Sequence, residues 1–442
     1  MTHSPHVVVI GAGWAGLSAA AELCERQIKL SVLEASSFLG GRARGIRFGD
    51  DRVDNGQHLL IGAYHEVLRQ LTRAGVDPDS SFERIPLKLV MRSATSSGLS
   101  LSLPRWLPAP LHLLWSLLNA QGLGLAERLS ALRFAIGLGL RGFRLQRDLP
   151  LAELLARSGQ LESVVDKLWA PLCLATLNTP ITEASSQLFL NVLRDSFSRR
   201  RGDSELLLPR GDLGAVFPEP LADYIKARGG EIRTGARVTA LHIVSGRIQG
   251  VQLGEERLDC DAVILATAPQ GANKLLSPIP SLAQLAGQLD ALDASPITTV
   301  YLRYANDVDL DPPLQGVLQA HSQWVMSRRS SAQPKLLSVV ISGDGPHMAL
   351  SREHLADTVR AELSAIHPHL ERSIECLVIR EKQATFLATP DATALRPGHI
   401  TPVEGLYLSG DYTHGPYPAT LEGAVRSGVQ CARLLLRQVS NE

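Results

Sequence analysis

The residues with the clearest chemical potential form a glycine-rich turn near the start of the chain. The apolar run Val7-Val8-Val9-Ile10 leads into Gly11-Ala12-Gly13-Trp14-Ala15-Gly16, and helix-forming residues follow. This order of strand, G-x-G-x-x-G turn and helix is typical of dinucleotide binding. Gly11 permits the tight turn, Gly13 lets the backbone approach a pyrophosphate, and Gly16 lets the helix pack close to the sheet. The amides at the start of the helix would then face the phosphates.

Further residues that suit a dinucleotide follow the next strand and stand near the end of the chain. The second predicted strand, residues 30–33, ends at Glu34, which lies 18 residues after Gly16 and is positioned for ribose hydroxyls. The loop after it closes in Gly40-Gly41-Arg42. Near the other end, the predicted strand 405–409 stops at Gly410-Asp411, and a loop rich in Gly and Pro precedes a predicted helix.

Together these segments resemble the superfamily of flavin-containing amine oxidases and phytoene-type desaturases. The resemblance implies FAD rather than NAD, and it places the positive end of the last helix at the N1–C2=O edge of the flavin. A second G-x-G-x-x-G motif is absent from the sequence, so we expect no separate NAD(P)H domain. The implied cofactor-binding residues are Gly11, Gly13, Trp14, Ala15, Gly16, Glu34, Ala35, Gly41, Arg42, Asn55, Gly56, Gln57, Val238, Gly410, Asp411, Thr420 and Leu421.

Two further segments combine polar and apolar residues in unusual ways. Asp54-Asn55-Gly56-Gln57-His58 crowds four hydrogen-bonding side chains around one glycine, which indicates either a polar patch beside the flavin or a capping turn. Residues 168–180 form an apolar run with isolated polar atoms, either the wall of an oily pocket or a core helix that ends at Pro180. The candidate pocket residues are Leu168, Trp169, Leu172, Cys173 and Asn178.

With these segments, and with Tyr417-Pro418-Ala419-Thr420 near the end, the whole chain resembles the squalene-associated FAD-dependent desaturases, also called hydroxysqualene dehydroxylases. The resemblance implies reduction of hydroxysqualene to squalene in hopanoid synthesis by reduced FAD, with loss of water. An external electron donor would reduce the flavin. An allylic alcohol loses hydroxide poorly unless its oxygen is protonated, so the protein must supply an acid. The candidate acids are Asp54, His58 and Tyr417.

Residues 101–147 form an apolar and basic segment that we expect to be helical. Residues 106–126 carry no formal charge, but prolines, glycines and amides interrupt them, which argues against a membrane span. On a helical wheel, Arg133, Arg141, Arg144 and Arg147 fall within about 120° of arc. A basic stripe on an apolar helix is typical of peripheral membrane contact, and an ordinary amphipathic helix that closes a buried pocket is the alternative.

The composition excludes some classes of partner. Lys and Arg number 44, as do Asp and Glu, so the formal net charge is zero and nucleic acid is not expected as a partner. The five cysteines show no C-x-x-C spacing, and neither they nor other residues suggest a metal site. The odd cysteine count and the early first strand predict a cytoplasmic protein without a signal peptide. If the basic stripe of residues 101–147 contacts a bilayer, that surface would be the inner face of the cytoplasmic membrane.

The fold class that we expect is α/β. A Rossmann-like FAD-binding domain, made of residues 1–80, 211–285 and 386–442, is interleaved with an α+β substrate-binding domain, made of residues 81–210 and 286–385. The segment 101–147 adds a helical part, which either faces a membrane or closes a buried pocket. A hairpin around Ser245-Gly246 is predicted within the cofactor domain.

Two other functions share this fold. A carotenoid or phytoene-type desaturase would abstract hydride with oxidised flavin, and a prenyl-lipid carrier would bind its ligand without redox chemistry. The complete glycine motif, together with Glu34, Arg42 and Asp411, favours an enzyme over a carrier. An amine oxidase would usually need an aromatic cage, and aromatic residues make up only 5% of the chain.

Overall fold

The computed structural model describes residues 4–26 and 28–439, and its centre is a five-stranded parallel sheet. Its strands lie in the spatial order Glu231–Arg233, Lys29–Leu33, His6–Ile10, Ala262–Leu265 and Leu406–Leu408. The strands His6–Ile10 and Ala262–Leu265 are buried throughout, as expected when both faces of a parallel sheet are covered. The predicted parallel α/β sheet is confirmed, and its strands come from three distant parts of the chain.

The first helix, Trp14–Leu23, packs side by side with the last helix, Leu421–Val439. Glycine makes this close approach possible, because a Cβ atom at Gly428 would lie 2.1 Å from the carbonyl oxygen of Ala15. Both helices begin at the same large cavity, so the positive ends of their dipoles point into it.

Smaller elements surround this parallel sheet. The predicted hairpin around Ser245-Gly246 is confirmed, and both turn residues have positive φ, at 51° and 78°. The small antiparallel sheets are Ala240–Val244 with Arg247–Leu253 and Glu256–Asp259; Gly45–Phe48 with Asp51–Asp54; and Leu60–Ile61 with Leu206–Pro209 and Phe82–Ile85. The associated helices are His65–Arg73, Pro78–Ser81, Leu213–Val216, Pro218–Lys226, Pro269–Leu276, Ala283–Asp290 and Pro390–Leu395.

A seven-stranded sheet borders the cavity and forms the second region of the fold, after the parallel sheet. In spatial order its strands are Glu375–Phe386, Ala294–Arg303, Leu336–Ser342, Trp324–Ser327, Leu314–Val317, Lys88–Arg92 and Leu99–Ser102. All neighbours are antiparallel except Leu314–Val317 with Lys88–Arg92. The helix Arg352–Ile366 buries its apolar side chains against one face, which leaves the other face free to border the cavity.

A helical cap covers the cavity. Its α-helices are Leu111–Leu118, Leu125–Leu140, Leu151–Arg157, Glu162–Val164, Ala170–Leu177 and Ser186–Phe197, and a π-helical turn, Val165–Trp169, precedes Ala170. Their buried side chains belong to one core cluster, which also includes residues of the parallel sheet. The cap and the cofactor sheet are therefore parts of one packed structure.

The predicted basic stripe on a single helix is wrong. The helix ends at Leu140, because Gly142 and Phe143 both adopt positive φ, at 61° and 58°. Arg141, Arg144 and Arg147 consequently lie beyond the helix, although their side chains remain exposed. Within residues 4–26 and 28–439, every helix is too short or too polar to cross a bilayer.

Candidate functional site

One cavity of about 1360 Å³ joins the three regions of the fold. Its volume exceeds the range of about 300–1,000 Å³ that is usual for a pocket holding one small ligand. One end lies at the carboxyl ends of the parallel strands, where Ile10, Leu33 and Ala266 line it. Open α/β sheets bind ligands at this edge. The other end extends under the helical cap.

The residues at the sheet end fit a dinucleotide. The first helix has no side-chain cap at Gly13 and no acidic residue in its first turn, so its positive end is available to an anion. Gly13 lines the cavity, and a Cβ atom there would meet no protein atom within 4 Å. Gly13 therefore leaves open the space that a phosphate beside these amides would need.

Glu34, Arg42 and Asp411 hold the polar positions along this end. Glu34 Oε2 accepts the amide of Ala12 at 2.8 Å, and Oε1 accepts the amide of Ser36 at 2.8 Å. The Arg42 guanidinium donates to both carboxylate oxygens of Asp411, at 2.7 and 2.8 Å. This contact joins the loop after the second strand to the loop after the last strand, so both ends of the chain build one site.

Of the predicted cofactor-binding residues, sixteen line the cavity: Gly11, Gly13, Trp14, Ala15, Glu34, Ala35, Gly41, Arg42, Asn55, Gly56, Gln57, Val238, Gly410, Asp411, Thr420 and Leu421. Gly16 does not line the cavity. It packs against the glycine turn, where a Cβ atom would lie 1.9 Å from the carbonyl oxygen of Gly11. The indole of Trp14 is buried and donates to the carbonyl of Ala43, so Trp14 can offer a phosphate only its backbone amide.

Arg396 organises the loop that precedes the last helix, and no motif in the sequence pointed to this residue. Its guanidinium is buried and donates to five backbone carbonyls, those of Asp411, Tyr412, Thr413, Gly415 and Tyr417. Burial lowers the pKa of Arg396 to about 10. One cation therefore fixes the loop on which Asp411 and Tyr417 face the cavity.

Asp54 does not reach the cavity, contrary to its predicted role as an acid in contact with substrate. It is fully buried, and its Oδ1 accepts the amide of Leu213 at 2.7 Å while Oδ2 lies 3.4 Å from Nη1 of Arg328. Burial raises the pKa of Asp54, and the Arg328 charge opposes that rise. Arg328 also donates to the side chain of Gln57, which lines the cavity. Asp54 thus supports the wall from behind.

His58 lines the cavity, and its Nδ1 lies 2.7 Å from the carbonyl oxygen of Gly56. A carbonyl can only accept, so Nδ1 carries the proton and the Nε2 atom of a neutral ring is an acceptor. Burial is the main cause that lowers the pKa of His58, and the negative charge of Asp54 partly opposes it. At neutral pH, His58 can therefore accept a hydrogen bond at Nε2 but has no proton there to give.

Tyr417 lines the cavity beside a carboxylate that sequence reasoning missed. Its hydroxyl donates to Oδ2 of Asp195 at 2.8 Å, and Asp195 lines the cavity as well. Burial raises the pKa of Tyr417 well above its usual value, Arg426 opposes the rise and Asp195 adds to it. Asp195 lies on the buried side of the helix Ser186–Phe197, four residues after the buried Asn191. The placement of Asn191 and Asp195 on an otherwise largely apolar helical face was the sequence signal that could have identified Asp195.

The far end of the cavity is apolar. Leu168 and Trp169, on the π-helical turn, line it with Leu172 and Asn178, whereas Cys173 is buried behind the wall, where burial raises its thiol pKa to about 12. Asn178 caps the helix and has both side-chain ends satisfied, with Nδ2 2.9 Å from Oγ1 of Thr385. This end offers aliphatic surface with few free polar atoms. No group of three or more His, Cys, Asp or Glu side chains in the described part of the chain could hold a metal ion.

Comparison with known proteins connects this geometry to a family. The family described as flavin containing amine oxidoreductase matches residues 14–436. Hydroxysqualene dehydroxylase of Rhodopseudomonas palustris is 32% identical over 447 residues, covering 98% of this chain and 99% of that protein. The 15-cis-phytoene desaturase of Glycine max is 26% identical and covers 98% of this chain and 79% of that protein.

A solved structure shows the same fold. Cyclohexylamine oxidase from Brevibacterium oxydans superimposes with a TM-score of 0.74 at 16% sequence identity, covering 99% of this chain and 100% of that chain. At this identity the likeness concerns the fold alone. It agrees with the mixed architecture of a parallel sheet, a larger antiparallel sheet and a helical cap.

Proposed function

The chain belongs to the flavin-containing amine oxidoreductase family and is an FAD-dependent oxidoreductase, and from this premise we propose that it reduces hydroxysqualene to squalene. The observation that carries the proposal is the single cavity, which joins a dinucleotide cradle to a long apolar chamber and has the hydroxyl of Tyr417 in its wall. Relatives named hydroxysqualene dehydroxylase match over nearly their full length. In this proposal, residues 1–80, 211–285 and 386–442 bind the cofactor, and residues 81–210 and 286–385 bind the substrate.

The chain's own residues supply binding and orientation. The amides at the start of the first helix would hold the pyrophosphate, Glu34 the ribose, and the amides at Thr420 and Leu421 the flavin edge. When bound and reduced by an external donor, FAD supplies hydride. Leu168, Trp169 and Leu172 belong to the apolar wall that would hold the hydrocarbon chain and exclude water.

We assign the proton donor to Tyr417. The C–O bond of the alcohol breaks with both electrons on oxygen, which takes one proton and leaves as water, while the carbon takes a hydride. The hydroxyl of Tyr417 lines the cavity and carries a proton at neutral pH, as any tyrosine does, whereas Nε2 of His58 has none to give. Asp54 and His58 then act as support and as a hydrogen-bond acceptor in the wall, respectively.

Product analysis tests the proposal. Purified holoenzyme, reduced under anaerobic conditions and given synthetic hydroxysqualene, is expected to yield squalene, detected by mass spectrometry. A parallel incubation of oxidised enzyme with phytoene tests the desaturase alternative, which the relatives named 15-cis-phytoene desaturase favour. Desaturated phytoene together with unchanged hydroxysqualene would show that the protein is a desaturase and not a hydroxysqualene dehydroxylase. A protein that binds either lipid without turnover would be a carrier.

We further propose that the cap contacts an anionic bilayer at the inner face of the cytoplasmic membrane. Large apolar side chains are exposed on it, with Trp106 at 69%, Leu125 at 72% and Leu140 at 84% exposure. Leu125 and Leu140 lie on the helix Leu125–Leu140, and Trp106 lies in the turn before the helix Leu111–Leu118. Both helices also line the cavity. Exposed arginines accompany them, at positions 105, 133, 141, 144 and 147. Apolar area combined with basic charge is what binds an anionic lipid surface.

Replacing Trp106, Leu125 and Leu129 together by Ser should reduce co-sedimentation with vesicles of phosphatidylglycerol by about tenfold or more, because these exposed side chains, which do not line the cavity, would insert into the lipid. Turnover of substrate in detergent micelles should stay near the wild-type value. A matched triple replacement of Phe38, Val244 and Ile374, which are exposed elsewhere, is the control. Equal vesicle binding by all three proteins would contradict membrane contact through the cap.

A further inference from the structure

The wall of the cavity contains a carboxylate that an apolar chamber does not need. Asp195 lies in the last turn of the helix Ser186–Phe197, between the half-buried Arg194 and the buried Ser196, and only 8% of the residue is exposed. Removing a carboxylate from water is unfavourable unless charged or polar partners compensate. A hydrocarbon substrate would form no favourable contact with the carboxylate of Asp195, so a carboxylate beside Tyr417 indicates a polar group in the ligand.

The partners of Asp195 keep it ionised and fix its direction. Arg194 donates from Nε to Oδ1 at 2.8 Å and from Nη2 to Oδ2 at 3.2 Å, and Tyr417 donates to Oδ2 at 2.8 Å. Arg199 lies 3.5 Å from Oδ1. Burial raises the pKa of Asp195, but the hydrogen bonds from Arg194 and Tyr417 prevail and hold it below its usual value. The group is therefore an acceptor with no proton of its own.

The helix that carries Asp195 is tied directly to the loop before the last helix. Asn191, one turn earlier, donates from Nδ2 to the carbonyl oxygen of Pro416 at 2.9 Å. That loop continues through Tyr417 to Thr420 and Leu421, the residues assigned to the flavin edge. The carboxylate thus stands at a fixed position beside the proposed proton donor.

Resting on the proposed function, we propose that Asp195, held by Arg194, is the specificity-determining residue that accepts a hydrogen bond from the hydroxyl group of the substrate. Without substrate, the four contacts from Arg194, Arg199 and Tyr417 surround both carboxylate oxygens. The incoming hydroxyl takes the place of Tyr417 on Oδ2. The Tyr417 hydroxyl is then released to donate to the substrate oxygen, the atom that must be protonated.

This exchange favours an alcohol over a hydrocarbon of the same length. Squalene has no group that can replace Tyr417, so Tyr417 stays bonded to Asp195 and squalene gains no polar contact. A hydrogen bond to a charged group corresponds to a preference of about 10–100-fold. The same contact helps the product to leave, because squalene no longer carries the oxygen.

The test measures binding without turnover. Oxidised holoenzyme in detergent micelles is titrated with hydroxysqualene and with squalene, and the shift of the flavin absorbance gives each Kd. Wild type is expected to prefer hydroxysqualene by about 10–100-fold. In Asp195→Ala the ratio should fall to within about threefold, with the Kd of squalene nearly unchanged; Asp195→Asn, which keeps the shape, should give an intermediate ratio. Ser198→Ala is the control, since Ser198 also lines the cavity but bonds the carbonyl of Arg194.

The outcomes separate the inference from the proposed function. If both Asp195 variants keep the wild-type preference, or lose affinity for both ligands equally, Asp195 does not recognise the hydroxyl. If wild-type enzyme, reduced and supplied with hydroxysqualene, forms no squalene, the proposed function fails independently of the binding ratios. A preference lost in the Asp195 variants and kept in Ser198→Ala supports the inference.

Discussion

Tyr417→Phe is expected to lower the turnover of hydroxysqualene by about 100–10,000-fold, the usual contribution of a general acid. The ring remains and only the hydroxyl is lost, so the cavity keeps its shape. Wild-type turnover should be independent of this group from about pH 6 to 9, because the raised pKa of Tyr417 keeps it protonated there. Anaerobic single-turnover kinetics, followed by flavin reoxidation, measures both the rate and its pH dependence.

The control removes an equivalent hydrogen bond far from the cavity. Tyr224 donates its hydroxyl to a carboxylate oxygen of Glu25 at 2.6 Å, so Tyr224→Phe should lose similar stability and retain turnover. If His58 were the donor, the rate would fall as pH rises through a pKa below 6.5, since the ring must carry a second proton to act as an acid. His58→Asn, and not Tyr417→Phe, would then abolish turnover and remove that pH dependence.

Gly13→Ala is expected to weaken FAD binding by about 100–10,000-fold while the protein folds normally. The added methyl group meets no protein atom within 4 Å and occupies the space assigned to the pyrophosphate. Loss of two hydrogen bonds from helix amides to phosphate, at about 1.5–3 kcal/mol each, gives this range. Titration of apoprotein with FAD, followed by flavin fluorescence, measures the affinity, and the Tm of the apoprotein reports the fold.

Two further glycines make this prediction specific. Gly398→Ala adds a methyl group at a position equally free of neighbours but outside the cavity, and it should leave FAD affinity unchanged. Gly16→Ala should instead lower the Tm, because its Cβ atom would lie 1.9 Å from the carbonyl oxygen of Gly11. Stoichiometric FAD in purified Gly13→Ala enzyme, at wild-type affinity, would show that the cofactor lies elsewhere.

The residues that line the cavity at the parallel sheet could be predicted because their signals are local in the sequence. The turn Gly11–Gly16, the acid Glu34 and the strand before Gly410 each carry their meaning within a few residues. Backbone geometry explains this, since a tight turn or a close approach admits few residue types. The hairpin at Ser245-Gly246 was predictable for the same reason, because its turn requires two residues with positive φ.

The site beneath the cap was not predictable, because its contacts join residues that are far apart in the chain. Asp195 meets Tyr417, and Asp54 meets Arg328, only after the antiparallel sheet and the cap have formed. The cap helix was predicted too long for a related reason. A helical wheel extends its 3.6-residue period indefinitely, whereas the chain leaves the helix at Leu140 and turns through Gly142 and Phe143.

The order in which the parallel sheet is assembled has a consequence for biosynthesis. Its strand Leu406–Leu408, and the helix that packs on Trp14–Leu23, are translated long after the glycine turn. A ribosome-bound chain therefore exposes the glycine turn for most of its synthesis without the last strand and helix that pack beside it. Until the final strand and helix emerge, the edge of the strand Ala262–Leu265 and one side of the helix Trp14–Leu23 lack the partners that cover them in the folded protein, and an uncovered strand edge can pair with other chains.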